Sequence, residues 1–240
     1  MKKRGVFLKT IIILITLLFF PNIMGREVLG KEKLKVFIDA GHQSEGDYNL
    51  EYIAPWSKEK KPRVSGGTRG VFTKNKEYEI NLEVALILRE LLILEGYEVF
   101  MSRDKNNVSL SNRERAEMAN LKRADIFIKL HCDGSKDQKL KGASILVPSY
   151  KREELKPIYS ESKKYGDILK NTLEDGGIKV RGIYERDDIT GFNWSKVPVI
   201  LLEMGFMTNY EEDVLLGSKL YQEKIAYLIV KSLKKYSLSI

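Results

Sequence analysis

Cysteine is almost missing from this chain. Cys132 is the single one in 240 residues, which excludes a disulfide scaffold and any cysteine-based zinc finger. Histidine is nearly as scarce. His42 and His131 are the two present, so a site built on several histidines is excluded and imidazole chemistry must use one or both. No apolar run has the roughly 20 residues that span a bilayer; the uninterrupted stretch 10–20 has 11. Internal repeats, low-complexity tracts and Pro/Ser-rich linkers are absent as well. Charge of one sign is not extreme, with 41 Lys+Arg against 33 Asp+Glu and a net +8. Four of those positive charges, Lys2, Lys3, Arg4 and Lys9, sit ahead of or inside the first apolar stretch. Without residues 1–24 the net charge falls from +8 to +4, too weak a balance to argue for nucleic acid and mildly suited to an anionic wall. Hydrophobic residues make up 43%, which excludes disorder as the overall state.

What is present begins with a leader. A basic start, an apolar run and a Pro21-Asn22 break read as a secretory signal over residues 1–25. An uncleaved membrane anchor starting at Val6 is the alternative. There is no Ala-x-Ala cleavage site, and Ile23-Met24-Gly25 is the nearest small-residue candidate. The expected location is extracytoplasmic, in the wall or on the outer face of the membrane.

Residues 34–240 then read as a single α/β domain. Short apolar runs at 35–39, 97–102, 125–131, 143–147 and 197–203 are expected strands. Helical patterns cover 77–95, ended by Gly96, 109–122 with Ser109 or Ser111 as cap, about 153–173, and 220–235. A polar loop is expected over 41–76, and irregular chain or short strands over 178–193. Strands alternating with helices imply a mainly parallel sheet.

Three strands end on chemistry-bearing residues. The first runs into Gly41-His42, the third ends on His131, and the last ends on Glu203. Carboxyl ends of strands form the ligand-binding edge of open α/β sheets, so neighbouring strands would bring two imidazoles and a carboxylate together. That donor set, with a second carboxylate, is typical of hydrolytic zinc sites. Helix 77–95 offers Glu77 and Glu79. Glu77 shares its face with Ile80, Asn81 and Val84, and so turns inward; an acid in a first turn is also favoured by the helix dipole alone.

These residues resemble the zinc-dependent N-acetylmuramoyl-L-alanine amidases of the third amidase group. The resemblance runs from about Leu34 to the C-terminus. It rests on Asp39-Ala40-Gly41-His42, on Glu77 and Asn81 four apart, on Ser102-Arg103-Asp104, and on Asn112-Arg113 with Ala119-Asn120. It continues through the strand from Ala124-Asp125 to His131 and the segment Glu203-Met204-Gly205-Phe206-Met207-Thr208-Asn209. The resemblance implies a twisted, mostly parallel six-stranded sheet flanked by helices, of phosphorylase/hydrolase-like type, and one zinc ion per chain. It makes His42, Glu77 and His131 the metal ligands and Glu203 the general base and acid for zinc-activated water. The implied reaction cleaves the amide between N-acetylmuramic acid and L-alanine in peptidoglycan. Asp39 and Asn209 are expected to orient ligand or catalytic groups.

Ala40 stands where the family usually has proline, and Cys132-Asp133-Gly134 where it often has Ala-Asn. Adjacent strand residues point to opposite faces, so Cys132 is expected to face away from the metal as a small buried residue, not to form a nucleophilic dyad with His131. The segment 49–70 is either a surface loop or part of the substrate groove, with Tyr52, Trp56 or Arg69 touching sugar or peptide. Two alternatives stay open: a catalytically silent or partner-activated wall-binding protein, and a zinc carboxypeptidase using Arg103, Arg113 or Arg181 to hold a terminal carboxylate. No separate wall-binding module is visible, so targeting falls to the domain itself, an N-terminal membrane tether, or an activating or targeting partner protein. The sequence leaves the oligomeric state open.

Overall fold

The computed structural model describes residues 34–240; the expected leader lies outside the described residues. The first strand, β1 (Lys35–Ala40), is buried on both faces and leads through a polar segment into the hairpin β2 (Asp47–Tyr52) and β3 (Lys60–Val64). Helix α1 (Glu77–Leu94), β4 (Glu98–Met101), α2 (Asn112–Leu121), β5 (Ile126–Asp133) and β6 (Ala143–Pro148) follow. After a short 3₁₀ turn come α3 (Lys156–Asp175), β7 (Val180–Arg186), α4 (Thr190–Asn193), β8 (Val199–Phe206), α5 (Tyr210–Leu216) and α6 (Lys219–Ser237).

Six strands form one sheet in the order β4-β1-β5-β8-β6-β7. The first four are mutually parallel, whereas β6 runs antiparallel to β8 and carries β7 parallel to itself. The expected single α/β domain with a mostly parallel six-stranded sheet is what the chain forms. The hairpin is the main departure, since residues 41–76 were expected to be loop. Its first strand alternates Tyr48, Leu50 and Tyr52 on an exposed face, and Lys61 and Arg63 of its second reach Asp188 and Glu114, so it is a short, solvent-facing strand pair set among polar residues. Strand β7 falls within the stretch expected as irregular chain or short strands, whereas helices α4 and α5 are too short to stand out. Ser111, not Ser109, caps α2: its side chain accepts from the Glu114 N–H while Glu114 reaches back to the Ser111 N–H, a reciprocal pair that satisfies two open donors.

Alternation along the strands sorts side chains into two layers. Val36, Ile38, Ile128, Leu130, Ile200 and Leu202 pack on one face with Leu88 and Leu92 of α1 and Ile229 of α6. Phe37, Phe127, Val199 and Leu201 pack on the other with Ala116 and Ala119 of α2 and Phe192 of α4. Asp39, Lys129, His131 and Glu203 fall in phase with this second face, and Cys132 with the first. Both cores and the whole sheet lie within residues 34–240.

Candidate metal centre

β1, β5 and β8 are neighbours, so their carboxyl ends meet. His131 and Glu203 stand opposite each other in the β5–β8 register, and the chain leaves β1 through Gly41 onto His42. Helix α1 starts beside them and adds Glu77 from its first turn. Three donor atoms converge here. His42 Nε2 is 3.0 Å from Glu77 Oε1, His131 Nδ1 is 3.2 Å from the same oxygen, and the two ring nitrogens are 3.1 Å apart. Tetrahedral ligands about 2.0–2.1 Å from a zinc ion lie about 3.3–3.4 Å apart, so this triangle needs to open only slightly to hold one. His42, Glu77 and His131 are also the group of donors with metal-ligand geometry among the described residues.

Surrounding groups prepare that donor set. His42 Nδ1 faces the Ser65 carbonyl at 2.8 Å; a carbonyl only accepts, so the proton sits on Nδ1 and Nε2 keeps its lone pair. Burial, the largest influence, lowers His131 to about 4, which leaves it neutral and able to donate a lone pair at neutral pH. Burial alone would raise the Glu77 carboxyl, but the His131 and His42 rings beside it hold it well below the usual range. Glu77 Oε2 accepts from Thr68 N at 2.8 Å, and Oε1 from Cys132 N at 3.1 Å and Asn81 Nδ2 at 3.3 Å. These bonds fix the carboxylate's direction, as outer partners of metal ligands do.

Two glycines make room. A Cβ on Gly41 would lie 2.2 Å from the His131 ring. Gly67 has φ of 78°, and a Cβ there would meet Glu77 Oε2 at 2.7 Å. His42 itself sits at φ of 59°, a region that side chains other than glycine enter rarely. Its carbonyl is held by Arg115 Nη2 at 3.1 Å.

Glu203 lines the same cleft, about 490 Å³ in volume, together with the triad, Asp133, Gly134, Lys136 and Thr208. Its Oε2 is buried and bonded to nothing, and so is His131 Nε2. Burial first, then the negative charges of Glu77 and Asp133, push the Glu203 carboxyl well above its ordinary value. A carboxyl of raised proton affinity thus lines a cleft together with the three donors. A separate polar groove of about 810 Å³ is lined by Gln43, Asp47, Tyr48 and Asn107.

Behind the triad lies a buried ion cluster. Asp39 contacts Lys129 and meets Arg115 Nη1 at 2.7 Å and Ser102 Oγ at 2.5 Å. Burial would raise Asp39, but Lys129 and Arg115 hold it well below the usual carboxylate range. Arg103 grips the carbonyls of Ala40, Gly41 and Tyr78. The two guanidiniums therefore clamp the backbone on either side of the turn that presents His42.

Several expectations need correction in detail. Asp39 touches none of the three donors; it acts through Arg115. Asn209 caps α5 by accepting from Glu212 N and donates to the Gln138 carbonyl, away from the triad. Arg113 lies 4.0 Å over the Trp194 ring and Arg181 5.0 Å over Phe206. With Arg103 buried in the clamp, no arginine lines the cleft. Tyr52, Trp56 and Arg69 line neither cleft nor groove. Cys132, as expected, is buried on the far face, its Sγ 3.6 Å from Asn81 Oδ1, and burial with the nearby Glu77 and Glu203 charges pushes the thiol up. It is no nucleophile. Arg115 and Lys129 were missed, although a lysine inside the apolar run Ile126-Phe-Ile-Lys129-Leu already signals a buried counter-charge.

A profile of the N-acetylmuramoyl-L-alanine amidase family matches residues 36–235. An N-acetylmuramoyl-L-alanine amidase of Mycobacterium tuberculosis is 29% identical over 211 residues, covering 82% of this chain and 83% of that protein. The fold is shared with the amidase Ami1 of Mycobacterium smegmatis at a TM-score of 0.79 and 24% identity, covering 88% of this chain and all of that one. The CwlD amidase of Clostridioides difficile, solved in complex with the GerS lipoprotein, aligns at a TM-score of 0.61 and 24% identity over 86% of this chain and 99% of its own. This chain belongs to the N-acetylmuramoyl-L-alanine amidase family. It is a hydrolase of the peptidoglycan-cleaving amidase class.

Proposed function

We propose that the chain is a zinc-dependent amidase acting outside the cytoplasm on the bond between N-acetylmuramic acid and the L-alanine of the stem peptide, with one zinc per chain. The observation that carries this reading is the convergence of three lone pairs, from His42 Nε2, Glu77 Oε1 and His131 Nδ1, beside the unbonded Glu203 carboxylate. Two neutral imidazoles and a carboxylate suit zinc. Zinc held there would polarise the scissile carbonyl and lower the pKa of water towards neutrality.

The remaining steps belong to the chain's own residues. Glu203, across the β5–β8 register from His131, takes the proton from the attacking water. It then delivers that proton to the departing L-alanine nitrogen, so one carboxyl serves as base and as acid. Its raised proton affinity suits the second role. Thr68, Cys132 and Asn81 keep Glu77 aimed, and Ser65 keeps the His42 tautomer. Arg103, Arg113 and Arg181, the cations offered for a carboxypeptidase, stay out of the cleft, whereas Lys136 lines it, so the products decide between the two. An N-terminal tether and a protein partner belong to the same proposal, the latter supported by the lipoprotein complex of the clostridial amidase.

The test is product analysis on purified peptidoglycan with zinc-loaded protein beside E203Q. Release of free stem peptides beginning at L-alanine is expected, with turnover at least about a hundredfold lower in E203Q. Trimmed stems still attached to glycan would replace this reading with the carboxypeptidase.

A further inference from the structure

The cleft holds one charged group that the amidase chemistry leaves unused. Glu77, Asp133 and Glu203 line it as acids, and Lys136 is the single cation among its lining residues. Lys136 is exposed, and its ammonium makes no hydrogen bond or ion pair among the described residues. The acids on either side of it in the chain are turned to the backbone instead. Asp133 accepts from the Gly134 N–H at 2.7 Å, and Asp137 from the Lys139 N–H at 3.0 Å. Exposed lysines are ordinary on protein surfaces; an unpaired one inside an otherwise acidic cleft is a charge offered to a ligand.

The backbone beneath Lys136 is fixed on both sides. Thr208 Oγ1 accepts from the Ser135 N–H at 2.9 Å, Ser135 Oγ accepts from the Asp137 N–H at 3.1 Å, and Asn209 Nδ2 donates to the Gln138 carbonyl at 2.8 Å. A Cβ on Gly134 would meet Thr68 Oγ1 at 2.8 Å, so the loop lies close against the residue whose N–H holds Glu77. Thr208 and Asn209 therefore act as positioning residues: they hold the loop, and the loop holds the ammonium at the cleft. Three donors on a flexible stem suit a carboxylate.

In peptidoglycan the lactyl carboxyl of the sugar is consumed in the scissile amide, so the free carboxylates belong to the stem peptide. A peptide advances at most about 3.6 Å per residue, which puts a carboxylate on the residue after L-alanine within about 7 Å of the scissile nitrogen. We propose that Lys136 reads that carboxylate, so that the enzyme favours peptidoglycan in which the group is free over peptidoglycan in which it is amidated. The three acids of the cleft would otherwise repel an anionic stem, and Lys136 supplies the opposite charge. This inference rests on the amidase reading of the cleft.

The test gives the zinc-loaded full chain soluble glycan strands that differ in one group, with either D-glutamate or its amide D-isoglutamine after L-alanine. The parent should cleave the D-glutamate strands with about tenfold higher kcat/KM, the difference lying in KM. K136Q should bring that ratio to about one through a raised KM on the D-glutamate strands, and K136R should restore it. Binding of the same strands to E203Q reads Lys136 without turnover: adding K136Q should weaken it about tenfold for D-glutamate strands only. Absence of amide cleavage on both strands would sink the amidase reading, and the binding ratio would still decide the part of Lys136. The proposal is overturned by equal kcat/KM on both strands in the parent, by an equal loss on both in K136Q, or by strand binding that does not distinguish the two.

Discussion

Glu203 holds a buried carboxylate oxygen without a partner, a condition that buried polar groups in folded proteins generally avoid. Because its folded-state proton affinity is raised, ionising it favours the unfolded chain. The sign follows: below about pH 4.5, the ordinary value, the group is protonated in both states and neutral in its effect; above that, stability is lost as pH rises through the folded-state value. E203Q should therefore melt a few degrees higher than the parent at pH 7 when both are metal-free, with the gain vanishing towards pH 4. A variant with no gain at pH 7 would contradict the buried, unpaired state. Asp39 is the reverse case. It stays ionised because Lys129 and Arg115 face it without solvent, and this pairing was only half legible. The lysine inside an apolar strand announces a partner, but nothing local says that the partner is 90 residues away.

Among elements, the β1 turn and the segment joining β3 to α1 are built around the donors. Gly41 gives the His131 ring its space, and Ser65 and Thr68 bond His42 and Glu77. G41A should act first on the imidazole, because the three atoms nearest its Cβ all belong to the His131 ring. Zinc affinity, measured by competition with a chromophoric chelator, should fall at least about tenfold, comparable to the loss of an outer partner. Unaltered affinity would mean that His131 does not bind through this rotamer. The strand-end pattern was readable because it depends on burial and period within six residues. The hairpin was not, since the Tyr48, Leu50, Tyr52 alternation is short and faces solvent, and its strands are held by Lys61, Arg63 and Glu51 contacts to distant partners.

For the whole molecule, the donors come from β1, β5 and α1, so a metal bound by them links three elements of the native state and none of the unfolded one. Free zinc at a thousandfold excess over its dissociation constant would add about 4 kcal/mol. Stripping with a chelator should lower the melting temperature by several degrees, and zinc should restore it in the parent but not in H131A. A chelator-insensitive melt in the parent would argue against a bound metal. What the sequence by itself determined is the succession of β1, β4, β5, β6 and β8 with the four long helices, and the placing of His42, His131 and Glu203 at strand ends, because periodicity, burial and caps are set by near neighbours. The tertiary structure alone decided that β1, β5 and β8 lie side by side, that β6 and β7 run in reverse, and that Arg103 and Arg115 clamp the turn. Those outcomes depend on pairing and charge contacts between residues some 70 to 90 positions apart, which no local pattern encodes.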